Sequence, residues 1–218
     1  MLASVFNEIR ENFMKHQTMF VQYDEKEIHR LFEESTMCLL LTHDQNHQSQ
    51  TGVFNPVLIE DTLYLHLHQR DEQITALKHH LTCHLIFQDI LSTIPSHWVD
   101  ARDAGKATNY YRFADLTCHA RILSPKDSIP ILAKMMQHFQ PEGQYQPLDY
   151  QDPLYHNIVK NSIHVVAFDQ QAIQAKWKLG QNYDVPKRMH IIEQLKHRAQ
   201  GNDLRTVDEM LHWINKNT

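Results

Sequence analysis

Arg70 stands where a phosphate can be held, between two segments of different period. Before it, Leu63, Leu65 and Leu67 alternate with Tyr64, His66 and His68, the period of two that suits a β-strand. After it, Glu72 to His80 fits one short helix, with Ile74 and Leu77 three apart. A cation at a strand end, next to the unpaired N–H groups and partial positive charge of a helix start, suits a phosphate. Hydrogen bonds from a guanidinium to a charged oxygen are among the strong ones. His68 and Gln73 flank Arg70 and are expected to assist. His66, one repeat back along the strand, either lines the same pocket or is an ordinary exposed strand residue.

Other residues offer partial chemistry. Gly52 lies inside an extended run, Gln48 to Leu58, and either lets a ring approach the backbone or marks a bulge. Trp98 either stacks on a flat ligand or fills core. Lys176 and Lys178 share one strand face and either reach a ligand or protect a sheet edge. Lys178 is the second-choice cation for a phosphate. Trp177 between them reads as buried. No acid–base pair stands out for catalysis. Seventeen histidines raise the question of metal, but no HExxH and no Cys/His cluster of zinc spacing occurs, so no metal ligand is assigned.

Composition narrows the classes. A chain of 218 residues with 42% hydrophobic content can build one large domain with a real core. No apolar run approaches the eighteen or so residues of a membrane span. The start, MLASVFNEIRENF, lacks signal-peptide shape. Cys38, Cys83 and Cys118 each fall in an apparent strand with no CxxC spacing, which reads as free buried thiols and a cytoplasmic location. A net charge of −5 argues against a broad electrostatic grip on nucleic acid. Five glycines and no GxGxxG or Walker pattern exclude the Gly-rich phosphate loops.

The positioning elements follow from periodicity. Val5, Phe6, Ile9 and Phe13 suggest an amphipathic helix in an N-terminal arm, 1–20. Asp24 and Glu27 form a capping box for a helix to about Glu34. Met37–Thr42, Gln48–Leu58 and Leu63–His68 read as a meander of antiparallel strands that begins a small barrel. Cys83–Phe87 reads as a strand, then Asp89–Thr108 as an ordered loop with a short strand around Trp98, then Leu116–Leu123 as a strand. Ser124-Pro125 opens a helix to about Gln140, and a short helix covers Tyr155–Lys160. Ile163–Phe168 and Ile173–Leu179 read as a hairpin joined by Asp169-Gln170-Gln171. Pro186–Ala199 is a helix with Met189, Ile192 and Leu195 inward. Gly201 stops it, and Thr206 with Glu209 caps a last helix. The expected class is α+β, a mainly antiparallel split barrel with peripheral helices and a C-terminal helical pair. The main domain spans 21–200, and 201–218 pack on it.

The C-terminal strand carries a likeness. Ala175 to Asn182 reads AKWKLGQN, followed by Lys187-Arg188 and a helix. This resembles the PaiB family of FMN-binding negative transcriptional regulators, whose signature there is close to GKWKLSQN. His66-Leu67 falls on the family's GHLAR, Gln73 on its NPQ, Ile86-Phe87-Gln88 on its FQG, Trp98 on its SPSWY, and Thr108 and Tyr111 on its TWNY. The likeness covers roughly residues 19–198. It implies the FMN-binding split barrel of pyridoxamine-phosphate oxidase relatives, usually a homodimer with flavin at the subunit interface. The chain departs from the pattern where Gly52 replaces a His, Gln69 replaces the Arg, Asp71-Glu72 replaces Asn-Pro, and Tyr110 replaces an Asn. Arg70, one place late, points to the other face unless the strand end bulges. Asp71 and Glu72 place negative charge beside any phosphate.

Three readings compete: a flavin-binding regulator without turnover, an oxidoreductase that uses the flavin, and a barrel that has lost flavin and binds haem or a protein partner. Direct DNA binding lacks a motif. The last two helices, joined by Gly201 to Asp203, are the one candidate pair, and acidic Asp203, Asp208 and Glu209 favour packing over groove binding.

Overall fold

The computed structural model describes residues 18–79 and 82–217. Seven strands form one sheet in the order β2-β1-β5-β6-β7-β4-β3, where β1 is Cys38–His43, β2 Ser49–Phe54, β3 Val57–Ile59, β4 Thr62–His68, β5 Thr82–Ile94, β6 Thr108–Ile122 and β7 Ile163–Lys178. The pairs β1/β2, β1/β5, β3/β4 and β4/β7 are antiparallel. Among the described residues, six helices accompany the sheet: α1 Glu25–Glu34, α2 Gln73–Lys78, α3 Pro125–Phe139, α4 Pro153–Asn161, α5 Val185–Arg198 and α6 Asp203–Lys216. The class is α+β, as expected. Among the described residues the sheet stays open, with β2 and β3 at its edges. The helix expected over Val5 to Phe13 lies outside the described residues.

The chain divides into two compact units. One comprises described residues 29–87 and 115–173, and the other 18–28, 88–114 and 174–217. In the first, Asp44 shapes the β1–β2 turn by accepting the N–H groups of Asn46 and Gln48, both at 2.8 Å. β4 is two-faced, as its alternation requires. Leu63, Leu65 and Leu67 are buried, while Tyr64, His66 and His68 share the opposite face with Ile163, Val165 and Ala167 of β7. Helices α3 and α4 help build a second apolar cluster, in which Val57, Ile129, Leu132, Met135, Val159 and Val165 are buried. Ser124 caps α3 by accepting the N–H of Asp127 at 3.2 Å, and Asp152 caps α4 by accepting that of Leu154 at 2.8 Å.

In the second unit, Tyr110, Arg112 and Ala114 form one inward row of β6, and Trp177 is buried at 1% exposure. Arg112 is fully buried and donates Nε and Nη2 to Asp89 at 2.8 and 2.6 Å, with Glu209 at 3.4 Å. A buried charge needs such partners. Asp203 accepts from Arg198 at 2.7 and 2.6 Å, from Ser92 Oγ at 2.8 Å and from the Gln200 N–H at 2.9 Å.

Several boundaries differ from expectation. β5 runs on to Ile94, and Trp98 lies in a 3-10 turn, Ser96–Trp98, rather than in a short strand. Asp89 and Ser92 read as loop residues because they are polar, but both are bonded to partners distant in sequence and so can sit in a strand. β6 begins eight residues earlier than Leu116, hidden by the charge of Arg112. β7 is one continuous strand and not a hairpin. A tight hairpin requires left-handed residues, and Asp169, Gln170 and Gln171 are not among the positive-φ positions. α6 starts at Asp203, so Thr206 is not a cap. Its hydroxyl instead bonds Asn202 O and Ser92 Oγ, both at 2.8 Å. α5 ends at Ala199 in the left-handed region (φ 47°). Ile191, Ile192 and Leu195 form its buried side, and Met189 is exposed.

Candidate functional site

In the first unit, the expected phosphate residues gather at the β4–α2 junction. Arg70 is exposed, and its guanidinium has no partner among the described residues. Its backbone N–H donates to His68 Nδ1 at 3.1 Å, which fixes that ring and leaves Nε2 outward. Asp71 has already claimed the helix start: its Oδ1 accepts the Gln73 N–H at 3.0 Å, and its carbonyl accepts that of Ile74 at 3.1 Å. Two donors a phosphate would use at α2 are therefore taken by Asp71, one by its carboxylate and one by its backbone carbonyl. Gln69 Nε2 donates to Lys160 O at 2.9 Å and holds the junction to the end of α4.

Gln73 is buried and reaches β1, donating Nε2 to Leu40 O at 3.1 Å, while its Oε1 has no partner among the described residues. Leu40 pairs with Gly52 across β1/β2. A Cβ on Gly52 would lie 2.8 Å from Phe54 Cζ and 3.0 Å from Gln73 Nε2. The space that Gly52 leaves thus holds a ring of the protein itself. His66 lines a cavity that none of these residues lines. It stands at the mouth of this apolar cavity, of about 310 Å3, beside α3 and α4. The side chain is exposed at that mouth, and the partial desolvation there lowers its pKa and favours the neutral imidazole.

In the second unit, Lys178 Nζ donates to Thr108 Oγ1, which ties the AKWKLGQN and TNYY segments together. Lys178, Thr108, Lys106, Asn182, Tyr183 and Phe20 line a cavity of about 330 Å3, and no carboxylate is among its lining residues. Lys176 and Lys178 both stand 6.0 Å from the centroid of the Phe20 ring. Burial and the neighbouring Lys176 lower the pKa of Lys178. Two like charges so close, with no carboxylate partner among the described residues, make an electrostatic opening for an anion. Trp98 is buried, and the Arg198 guanidinium lies 4.6 Å over its ring. That face is committed to a protein cation.

The family described as "Putative FMN-binding domain" matches residues 14–170. The chain belongs to this FMN-binding family. No curated protein matches it. Its fold is similar to that of the FAD and haem binding protein from Mycobacterium smegmatis, with a TM-score of 0.63 at 10% identity, covering 78% of each chain. It is also similar to the flavocytochrome Anf3 from Azotobacter vinelandii, with a TM-score of 0.61 at 13% identity, covering 78% of this chain and 75% of that one. At such identities the likeness shows the fold.

Against the PaiB-type motifs, two departures in the second unit fit each other. Tyr110 stands where that pattern has Asn, and Gly180 where it has Ser. A Cβ on Gly180 would fall 3.1 Å from Tyr110 Cζ and closer still to its hydroxyl. The neighbouring Gln181 closes the strand end locally, accepting the Leu179 N–H at 2.7 Å and donating to Trp177 O at 2.8 Å.

Two features were not visible in the sequence alone. The cavity beside His66 is assembled from α3, α4 and the loop between them, which no motif links. Asp71 as a cap was hidden because it sits two residues before the helix, where it reads as a turn residue. Among the described residues, no three His, Cys, Asp or Glu side chains gather in a way that could hold a metal, and no helix is long and apolar enough to cross a membrane.

Proposed function

We propose that this protein binds FMN, as a homodimer with the flavin at the subunit interface, and that the flavin serves a regulatory role of the PaiB type. Family membership over residues 14–170 carries the flavin reading. The fold agrees with it, since the two structural neighbours named above are described as binding FAD and haem and as a flavocytochrome.

Residues of each unit can serve the phosphate. The Lys178 cavity fits it better, because it combines an ammonium, a hydroxyl and an amide side chain with no lining carboxylate. The alternative anchor, within the first unit, is Arg70 with His68 Nε2, opposed by Asp71 and Glu72. Flavin, when bound, supplies hydride and electron acceptance; the protein supplies binding and orientation. Lys178 holds charge against the phosphate, Thr108 fixes the direction of the ammonium, and Phe20 shields both lysines from water on one side.

A regulatory role without DNA contact by the last helices suits the structure. Asp203 and Glu209 of α6 face Arg198 and Arg112 and are not presented to solvent.

The test is the visible spectrum of the purified protein, then titration with FMN and with riboflavin. FMN should bind more tightly than riboflavin, and Lys178→Ala should remove most of that difference, about 1.5–3 kcal/mol for a bond to a charged group. Equal affinity for FMN and riboflavin in the wild-type protein would refute phosphate anchoring. A colourless protein that takes up neither would refute the flavin reading.

A further inference from the structure

The cavity beside α3 and α4 plays no part in the flavin reading. It lies wholly within the first unit. Leu132, Met135, Met136 and Phe139 of α3 form one wall, and Ile158 and Val159 of α4 face it. Its volume of about 310 Å3 falls at the lower end of the ~300–1,000 Å3 usual for small-molecule sites. No Lys, Arg, Asp or Glu is among the lining residues. Methionine and aromatic side chains together suit a flat, polarisable ring.

Polar groups at the cavity are few. The Tyr155 hydroxyl is already committed, donating to Gln146 O at 3.0 Å. The His66 imidazole and the Tyr145 hydroxyl have no partner among the described residues. His66 projects from β4 beside Val165, on the face that carries the apolar cluster.

We infer that this cavity is a binding site for a small uncharged aromatic molecule, bicyclic in size, which hydrogen-bonds to the His66 imidazole through a hydroxyl or ring N–H. An anion would be buried there without a cation, and a cation without a carboxylate, and either is costly. The neutral imidazole keeps one nitrogen as an acceptor. Haem does not suit the lining, because no Lys or Arg stands among its described residues to meet the two propionates. The site shares no lining residue with the Lys178 cavity, does not include Arg70, and does not depend on flavin being bound.

The probe is 2-naphthol, followed by its own fluorescence, with naphthalene and 2-naphthoate as controls, on the full chain. 2-Naphthol should bind saturably at one per chain, and 2-naphthoate at least tenfold more weakly. His66→Phe should weaken 2-naphthol about tenfold and leave naphthalene unchanged. Met136→Trp, which fills the cavity from a half-buried position, should abolish both. Melting curves of both variants set the folded fraction on which each titration is scored. Failure of the wild-type protein to bind 2-naphthol saturably would overturn the inference, as would binding that survives Met136→Trp. A haem Soret band in the wild-type protein that is lost in His66→Phe would overturn it in favour of haem.

Discussion

The Tyr110 hydroxyl occupies the space that a side chain on Gly180 would need. Gly180 also has a φ of 84°, a conformation that side chains rarely adopt. The two residues therefore restrict each other. Gly180→Ser alone should destabilise the protein by about 1–3 kcal/mol through overpacking and backbone strain. Tyr110→Asn alone should also destabilise, by leaving a void and a buried amide. In the double variant the clash is gone, so the two costs should sum to more than the measured loss. A double-mutant cycle in urea reads this coupling; strict additivity would show that Tyr110 does not occupy that space in solution.

Arg70 and Lys178 make different promises as anion anchors. Arg70 is exposed and flanked by Asp71 and Glu72, so Arg70→Ala should lower FMN affinity only modestly, by about 0–1 kcal/mol, the usual worth of an exposed charge. Lys178→Ala should have the larger effect. Isothermal titration at two salt concentrations separates them, since the exposed contact is the more strongly screened. A larger loss at Arg70 than at Lys178 would reverse the order of the two anchors.

Trp177 is buried at 1% exposure between Lys176 and Lys178. Trp177→Ala should cost about 3–5 kcal/mol, as large core truncations do. Its indole N–H has no partner among the described residues, so Trp177→Phe removes an unsatisfied donor and should cost clearly less. Chemical denaturation midpoints of the two variants check this ordering.

Acid should act on the second unit through Asp203. Its carboxyl, 2% exposed, is held at a pKa of about 2 chiefly by the Arg198 guanidinium, below its ordinary 3.8. A depressed carboxylate contributes stability that is fully present above the unfolded value. That contribution, about 2 kcal/mol, is lost as pH falls from about 4 towards 2. Stability measured against pH should show this limb, and Asp203→Asn should flatten it. An unchanged acid limb in the variant would mean that other carboxylates govern it.

Assembly has a direct measurement. Light scattering at micromolar concentration should give a mass near twice 25.8 kDa. A clean monomer would count against both the dimer and an interfacial flavin.

Much of the fold was legible because it follows from alternation and capping. β4 keeps its leucines on one face, and Ser124-Pro125 and Asp24 start helices where their side chains can accept orphan N–H groups. Charge and polarity misled where distant partners decide. Arg112 reads as a break in a strand until Asp89 and Glu209 are seen around it, and Asp89 itself looks like a loop residue. Gly52 showed that a side chain was missing but not that Phe54 fills the space. Lys178 and Thr108 were each read from motifs, yet their contact links residues seventy positions apart, which spacing along the chain does not reveal.

The three thiols of the first unit give the protein an internal clock. Cys38, Cys83 and Cys118 are buried, and burial pushes the first two up to about 12 and the third higher still. The thiolate is the reactive form, so a thiol reagent at neutral pH reaches them only when the surrounding strands part. Labelling rates then follow how often that part of the sheet opens and how long it stays open, in the manner of amide exchange. Anything that binds and steadies the unit should slow the reaction without touching a cysteine, which makes the unmodified protein its own detector of ligands.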